Sequence, residues 1–290
     1  MKKLFILAAT VCTILSSCSK SEAPIEVTSK TPINLSVNPT TRANDTTYEN
    51  GDKVGIYVVN YTNATTPGTL AASGNHVNNM QFELGNSGWT PTTPIYWLDK
   101  TTKADFYAYY PYSASADTSE RSFSVQADQS NEDNYWASDF MWGKATSAPT
   151  ETVSITTNHV FSNVLIYLVA GDGFTEADLA DAVVKIKNVK ISATINLATG
   201  VATATGSTST ITPWKVGDYY RAMVVPQTIA DETEFITVTI DGVEYVLKLG
   251  ATFDANKKHT ITITVNKSSN GVNIGVGNWG DGNDYTGDAE

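Results

Sequence analysis

The sequence predicts an all-β protein built as two consecutive β-sandwich domains, and three observations carry that expectation. Nearly every apolar periodicity in the 290 residues has period two, the spacing at which alternate side chains share one face of a strand. These runs are short and separated by clusters of Gly, Pro, Asn, Asp, Ser and Thr, the residues that make turns. Thr, Val, Ile and Tyr are abundant while charged residues are only 17%, which suits pleated, half-buried surfaces and is too apolar for a disordered chain. About seven or eight strands on each side of a boundary near Thr157 match the usual strand count of a sandwich.

The first series of candidate strands is Ile33–Val37, Val54–Val59, Met80–Leu84, Ile95–Trp97, Ala104–Tyr110, Ser122–Val125, Phe140–Lys144 and Val153–Thr156. The second is Val160–Val169, Val183–Ile186, Val189–Ile195, Val201–Thr205, Tyr219–Val225, Phe235–Ile240, Val243–Leu249 and Thr260–Val265. Between Ile240 and Val243, Asp241-Gly242 predicts a two-residue hairpin, because both residue types tolerate the positive φ of a type I′ turn. One short helix is expected over Thr175–Ala182, with Thr175 as cap and Asp178 three residues on. Asn131-Glu132-Asp133 reads as a charged loop. The absence of heptads, a Walker loop and a strand–GxGxxG–helix unit argues against nucleotide-binding α/β folds.

Residues 1–17 read as an export signal. Lys2 and Lys3 precede an apolar run from Leu4 to Leu15, shorter than the ~20 residues that span a bilayer. Leu15-Ser16-Ser17-Cys18 resembles the bacterial lipobox. That resemblance implies cleavage before Cys18 and its acylation, with outer-membrane lipid as partner; an ordinary signal peptide with an incidental cysteine is the alternative. Cys12 and Cys18 are the only two cysteines, so a disulfide framework and a Cys-rich zinc site are excluded for the body. The formal net charge of −11 argues against nucleic acid as a partner. Residues 18–42 then hold a tether and a leader strand.

Several segments, taken in order, resemble the fimbrillin family of Bacteroidales. Thr41-Arg42-Ala43 is followed by Glu49-Asn50-Gly51-Asp52-Lys53-Val54-Gly55-Ile56-Tyr57-Val58. Pro94-Ile95-Tyr96-Trp97 leads into Ala104-Asp105-Phe106-Tyr107-Ala108-Tyr109-Tyr110-Pro111-Tyr112. Asp139-Phe140-Met141-Trp142-Gly143-Lys144-Ala145, His159-Val160-Phe161 and Val224-Val225-Pro226-Gln227 continue the series. The resemblance implies two transthyretin-like β-sandwich domains, here 43–157 and 158–290, and a lipidated precursor that needs no cofactor. It further implies cleavage after Arg42, making Ala43 the new N-terminus, and removal of the strand carrying Ile33, Leu35 and Val37. Another subunit's strand would fill the groove, so other fimbrial subunits are the implied partners, with a host or bacterial surface receptor beyond them.

The residues themselves bear on each step. Arg42 lies in the polar, turn-rich stretch Asn38–Asp45, where a protease finds exposed chain. Ile33, Leu35 and Val37 alternate with Asn34, Ser36 and Asn38, so one face of the strand is apolar. Removing such a strand exposes unpaired backbone and an apolar groove, a template for strand addition; an ordinary loop arginine and a permanent first strand are the alternative. Near the C-terminus, Val272, Ile274 and Val276 alternate with Asn273 and Gly275. That segment, within a tail over 268–290, fits either a donor strand or the last strand of its own domain.

Catalytic chemistry finds no footing in the sequence. His76, His159 and His259 are far apart, and no GxSxG elbow, HExxH helix or Cys–His pair exists. His159, at the start of an apolar strand, reads as a structural edge residue. The Asp- and Gly-rich end, Asp281–Asp288, breaks the ligand order of a calcium loop. The aromatics Trp89, Trp97, Tyr107, Tyr109, Tyr110, Tyr112, Trp136 and Trp142 fit either glycan-stacking platforms or the cores of sandwiches. The expectation is therefore a non-enzymatic fimbrial subunit of the cell surface and outer membrane. A non-polymerising surface lipoprotein that binds glycan or host protein is the alternative.

Overall fold

The structure, a computed structural model, describes residues 30–39, 47–116, 120–267 and 274–276. The first half contains β1 (Leu35–Pro39), β2 (Lys53–Asn60), β3 (Val77–Gly85), β4 (Gly88–Pro91), β5 (Ala104–Tyr110) and β6 (Arg121–Ser124). The single helix among the described residues, α1 (Glu132–Trp136), follows, and then β7 (Met141–Ser147) and β8 (Val153–His159). The second half contains β9 (Ser162–Ala170), β10 (Val183–Asn196), β11 (Val201–Ile211), β12 (Trp214–Val216), β13 (Tyr219–Val224) and β14 (Gln227–Ile229). It ends with β15 (Glu234–Ile240), β16 (Val243–Lys248), β17 (Ala251–Phe253), β18 (Lys258–Val265) and β19 (Ile274–Val276).

Seven strands of the first half form one sheet in the order β1-β8-β7-β5-β2-β3-β4. Its two ends meet, since the Trp89 indole N–H on β4 donates to the Val37 carbonyl on β1 at 3.0 Å. The sheet therefore curls around a core of its own, where Leu35 and Val37 join Ile56, Phe82, Phe106 and Ile155. Alternation makes this possible: Phe106 and Ala108 point into the curl while Tyr107 and Tyr109 point out of it. All four are buried, because the convex face is covered as well.

In the second half, β11-β10-β15-β16 form one sheet and β12-β13-β9-β18-β19 another, with a β14–β17 ribbon beside them. Ile186, Val238 and Leu247 from one sheet and Val164, Ile166 and Ile263 from the other belong to one core. The same core takes in Tyr57, Val59, Tyr107 and Tyr109 from the convex face of the first sheet. Strand β6 is a further tie, leaving the first half to pair antiparallel with β10 from Ser192↔Ser124 to Ile195↔Arg121.

Local differences from the sequence-based expectation have identifiable causes. Val183–Ile186 and Val189–Ile195 are one strand, because Asn188 at φ 59° takes up a bulge that shifts the apolar phase. Over Thr175–Ala182 the expected Thr175–Asp178 cap forms, with Asp178 accepting from the Thr175 N–H and hydroxyl at 2.7 Å. The chain there makes only i→i+3 turns, such as Asp178 N–H to Thr175 O, before β10 begins. The helix lies instead at Asn131-Glu132-Asp133, where the Asn131 side chain caps by accepting from the Asn134 N–H. Ile95–Trp97 is reduced to an isolated bridge between Tyr96 and Pro32.

Candidate functional site: the leader strand and its groove

Strand β1 is an edge strand that runs parallel to β8, with Leu35↔Val153, Val37↔Ile155 and Pro39↔Thr157 in register. Upstream, Ile33 N–H donates to Ile95 O and Trp97 N–H to Thr31 O, both at 2.9 Å. Ile33, Leu35 and Val37 are 2%, 6% and 2% exposed, whereas Asn34 and Asn38 face solvent. Each buried aliphatic contributes about 1.5–3 kcal/mol of transfer free energy. Because β1 has a continuous backbone ladder on one side only, its removal would expose the β8 edge and leave three apolar pockets at alternate positions.

A cleft of about 590 Å³ opens where β1 ends. Pro39 and Thr47, the described residues flanking the segment that holds Arg42, both line it. Glu49, Asp52, Glu132, Asp133 and Asp139 make it acidic, and Tyr48, Tyr110 and Trp136 give it aromatic walls. The Tyr110 hydroxyl donates to Asp52 at 3.2 Å; burial first, and then the Asp52 charge, push its phenol above the usual range. Tyr48 is likewise pushed up, chiefly by burial, and its hydroxyl lies 2.9 Å from Thr157 Oγ1. The buried Asp139 carboxylate is 2.8 Å from His159 Nδ1, so His159 pairs with a carboxylate. The acidic wall supplied by α1 was hidden in the sequence. Its available signal was the Asn131 cap ahead of Glu132 and Asp133, followed by Tyr135-Trp136.

Cys18, Arg42, Ala43 and Val272 lie outside the described residues. Ile274 and Val276 belong to β19, whose backbone pairs antiparallel with β18 in the register Val265↔Ile274 and Ile263↔Val276. Trp97, Tyr107 and Tyr109 are core residues, and Trp142 donates its indole N–H to Leu197 O at 2.8 Å; none of these forms an open stacking platform. Among the described residues no group of three or more His, Cys, Asp or Glu could hold a metal ion. Nor is any helix among them long and apolar enough to cross a membrane.

Two solved structures share this architecture. One, described as a cell adhesion protein of Bacteroides uniformis, is 25% identical with a TM-score of 0.65, covering 86% of this chain and 96% of that one. The other, described as a cell adhesion protein of Bacteroides ovatus, is 17% identical with a TM-score of 0.66 over the same shares, and bears on the fold alone. The fold is thus that of a class of all-β bacterial adhesion proteins. Within that class, the sequence profile described as fimbrillin-like matches residues 41–279, and the chain belongs to the fimbrillin-like family. A relative from Bacteroides uniformis named as fimbrium subunit Fim1C is 29% identical over 313 aligned positions, spanning the whole of both chains. A relative from Bacteroides ovatus named as fimbrium tip subunit Fim1C is 29% identical over 128 positions, 39% of this chain and 22% of that one.

Proposed function

We propose that this chain is a non-enzymatic structural subunit of cell-surface fimbriae that supports adhesion. In this reading the precursor is anchored through lipid on Cys18, and a protease then cuts between Arg42 and Ala43. Loss of the strand bearing Ile33, Leu35 and Val37 opens the groove, and a neighbouring subunit's Val272, Ile274 and Val276 enter it. The mature subunit would consist of domains over 43–157 and 158–290, and other fimbrial subunits would be its partners, with a surface receptor at the end of the chain of contacts.

The observation that carries this reading is the leader strand itself: an edge strand near the N-terminus with three buried aliphatics at i, i+2 and i+4. The tail repeats that spacing. The fimbrillin-like match supports the reading, because it begins at Thr41, beside Arg42, and runs past Val276. Treating the exported protein with an Arg-specific protease should move its N-terminus from Cys18 to Ala43 and produce a ladder of strand-linked oligomers. Arg42→Ala should remain monomeric, and deletion of 268–290 should stop the ladder without unfolding the subunit. Retention of Cys18 after protease, or a ladder from Arg42→Ala, would overturn it.

The backbone pairing of Ile274–Val276 with β18 favours a second reading, a non-polymerising surface lipoprotein that binds glycan or host protein. Its signature is a stable monomer after protease treatment with saturable sugar or host-protein binding.

A further inference from the structure

Strand β11 is the longest terminal strand of any sheet among the described residues, spanning Val201–Ile211. One side of it pairs with β10. On the other, no backbone partner exists among the described residues until Thr212, which exchanges bonds with Ala127 and Gln129. A row of unpaired N–H and C=O groups is a template for another strand, and proteins usually blunt such edges with charge, proline or shortness. The other sheet ends follow that rule: β1 ends in Pro39, and β14 and β17 are three residues long. Strand β16 carries Glu244 and Lys248, β4 ends in Pro91, and β12 and β19 are three residues long.

β11 lacks these devices. No Asp, Glu, Lys or Arg occurs between Lys190 and Lys215, and no proline before Pro213. Its one interruption is Gly206 at φ 75°, beside the register shift between Lys190 and Ser192. That leaves Val201–Thr205 as a regular stretch, in which Val201 is 60% exposed and Thr203 also faces solvent.

The occupant that fits is a second copy of the chain. Copies carrying a net charge of −11 repel at long range, and close approach costs least where charge is absent. A two-fold antiparallel pair centred on Thr203 sets Val201 opposite Thr205 and Ala202 opposite Ala204, with no like charges in register. Residues 277–290 of the same chain fit the edge poorly. They contain Asp281, Asp284, Asp288 and Glu290 together with Gly277, Gly280, Gly282 and Gly287, types depleted in strands.

We propose that the outer edge of β11, over Val201–Thr205, pairs antiparallel with the same strand of a second copy, joining two subunits side by side. The contact is separate from the leader-strand groove, so each can fail without the other. The test uses the full chain with Cys12→Ser, Cys18→Ser and Arg42→Ala, which carries no lipid and keeps its leader strand. Sedimentation velocity over a concentration series should show a monomer–dimer equilibrium. Thr203→Lys, which puts like charges face to face, should weaken association by about tenfold or more at an unchanged melting temperature, while Thr203→Ser should not. Thr203→Cys in the same background should give a disulfide-linked dimer under mild oxidation, and Thr90→Cys on β4 should not. A monomer at every concentration, a dimer indifferent to Thr203→Lys, or a dimer seen only after deletion of 277–290 would each overturn the proposal. The last outcome would assign the edge to the chain's own tail.

Discussion

Arg221 is 5% exposed, a cation on β13 held by rings from both halves. Its guanidinium carbon lies 4.2 Å from the Tyr135 ring centre and 5.5 and 5.9 Å from those of Trp136 and Trp214. Its Nη2 donates to the Tyr135 hydroxyl at 2.6 Å. Tyr135→Phe removes that acceptor beside a buried charge and should destabilise the fold by about 1–3 kcal/mol, measurable by urea denaturation. His259, 2% exposed, accepts the Asp254 N–H through Nε2 at 3.3 Å. Burial holds its pKa below the usual value, with Lys257 adding to that effect and Asp254 opposing it. The unfolded imidazole takes up a proton near pH 6.5, before the folded one does. The stability tied to His259 is therefore present above about pH 6.5 and lost as pH falls toward its folded value. His259→Gln should flatten the fall in melting temperature between pH 7 and pH 5 relative to the parent chain. Neither role was legible in the sequence. The strand over Tyr219–Val225 that carries Arg221 was legible, but its ring partners come from α1 and β12, one read as a loop and one too short for any periodicity.

At the scale of elements, the strand signal was clearest where both faces are buried and the apolar run is nearly continuous. Ala104–Tyr110 matches β5 end to end, since its packing demands a large apolar residue or Ala at almost every position. Three-residue strands such as β14 and β17 are too short to carry a period. The Asp241-Gly242 hairpin was readable from chemistry alone, and both residues adopt positive φ, 48° and 80°. Gly242→Ala should therefore cost roughly 1 kcal/mol, seen as a lower melting temperature. Gly55 is a different case: a Cβ there would lie 2.1 Å from the Tyr109 ring on β5, so Gly55→Ala must displace that ring from the shared core. The leader strand offers a sharper test. Leu35→Ala should cost about 2–5 kcal/mol in the uncut chain, compared by urea denaturation. The same substitution should have no effect on material whose N-terminus is Ala43.

Across the whole molecule, the groove was more legible than its surroundings. Alternation at Ile33, Leu35 and Val37 is local and survives in the sequence. The closure of β4 on β1 and the acidic cleft beside it depend on residues some tens of positions apart, which no local pattern links. The strap formed by β6 on β10, together with the core that takes in Tyr57 and Tyr107 alongside Ile186 and Val164, has a mechanical consequence. A bacterium held by a filament in moving fluid would put each subunit under tension along its length. The two halves could part only if β6 sheared from β10 and the aromatic face of the first sheet were stripped bare at once. Stretch in such a filament would accordingly be taken up at the joints between subunits, with each subunit behaving as a stiff link.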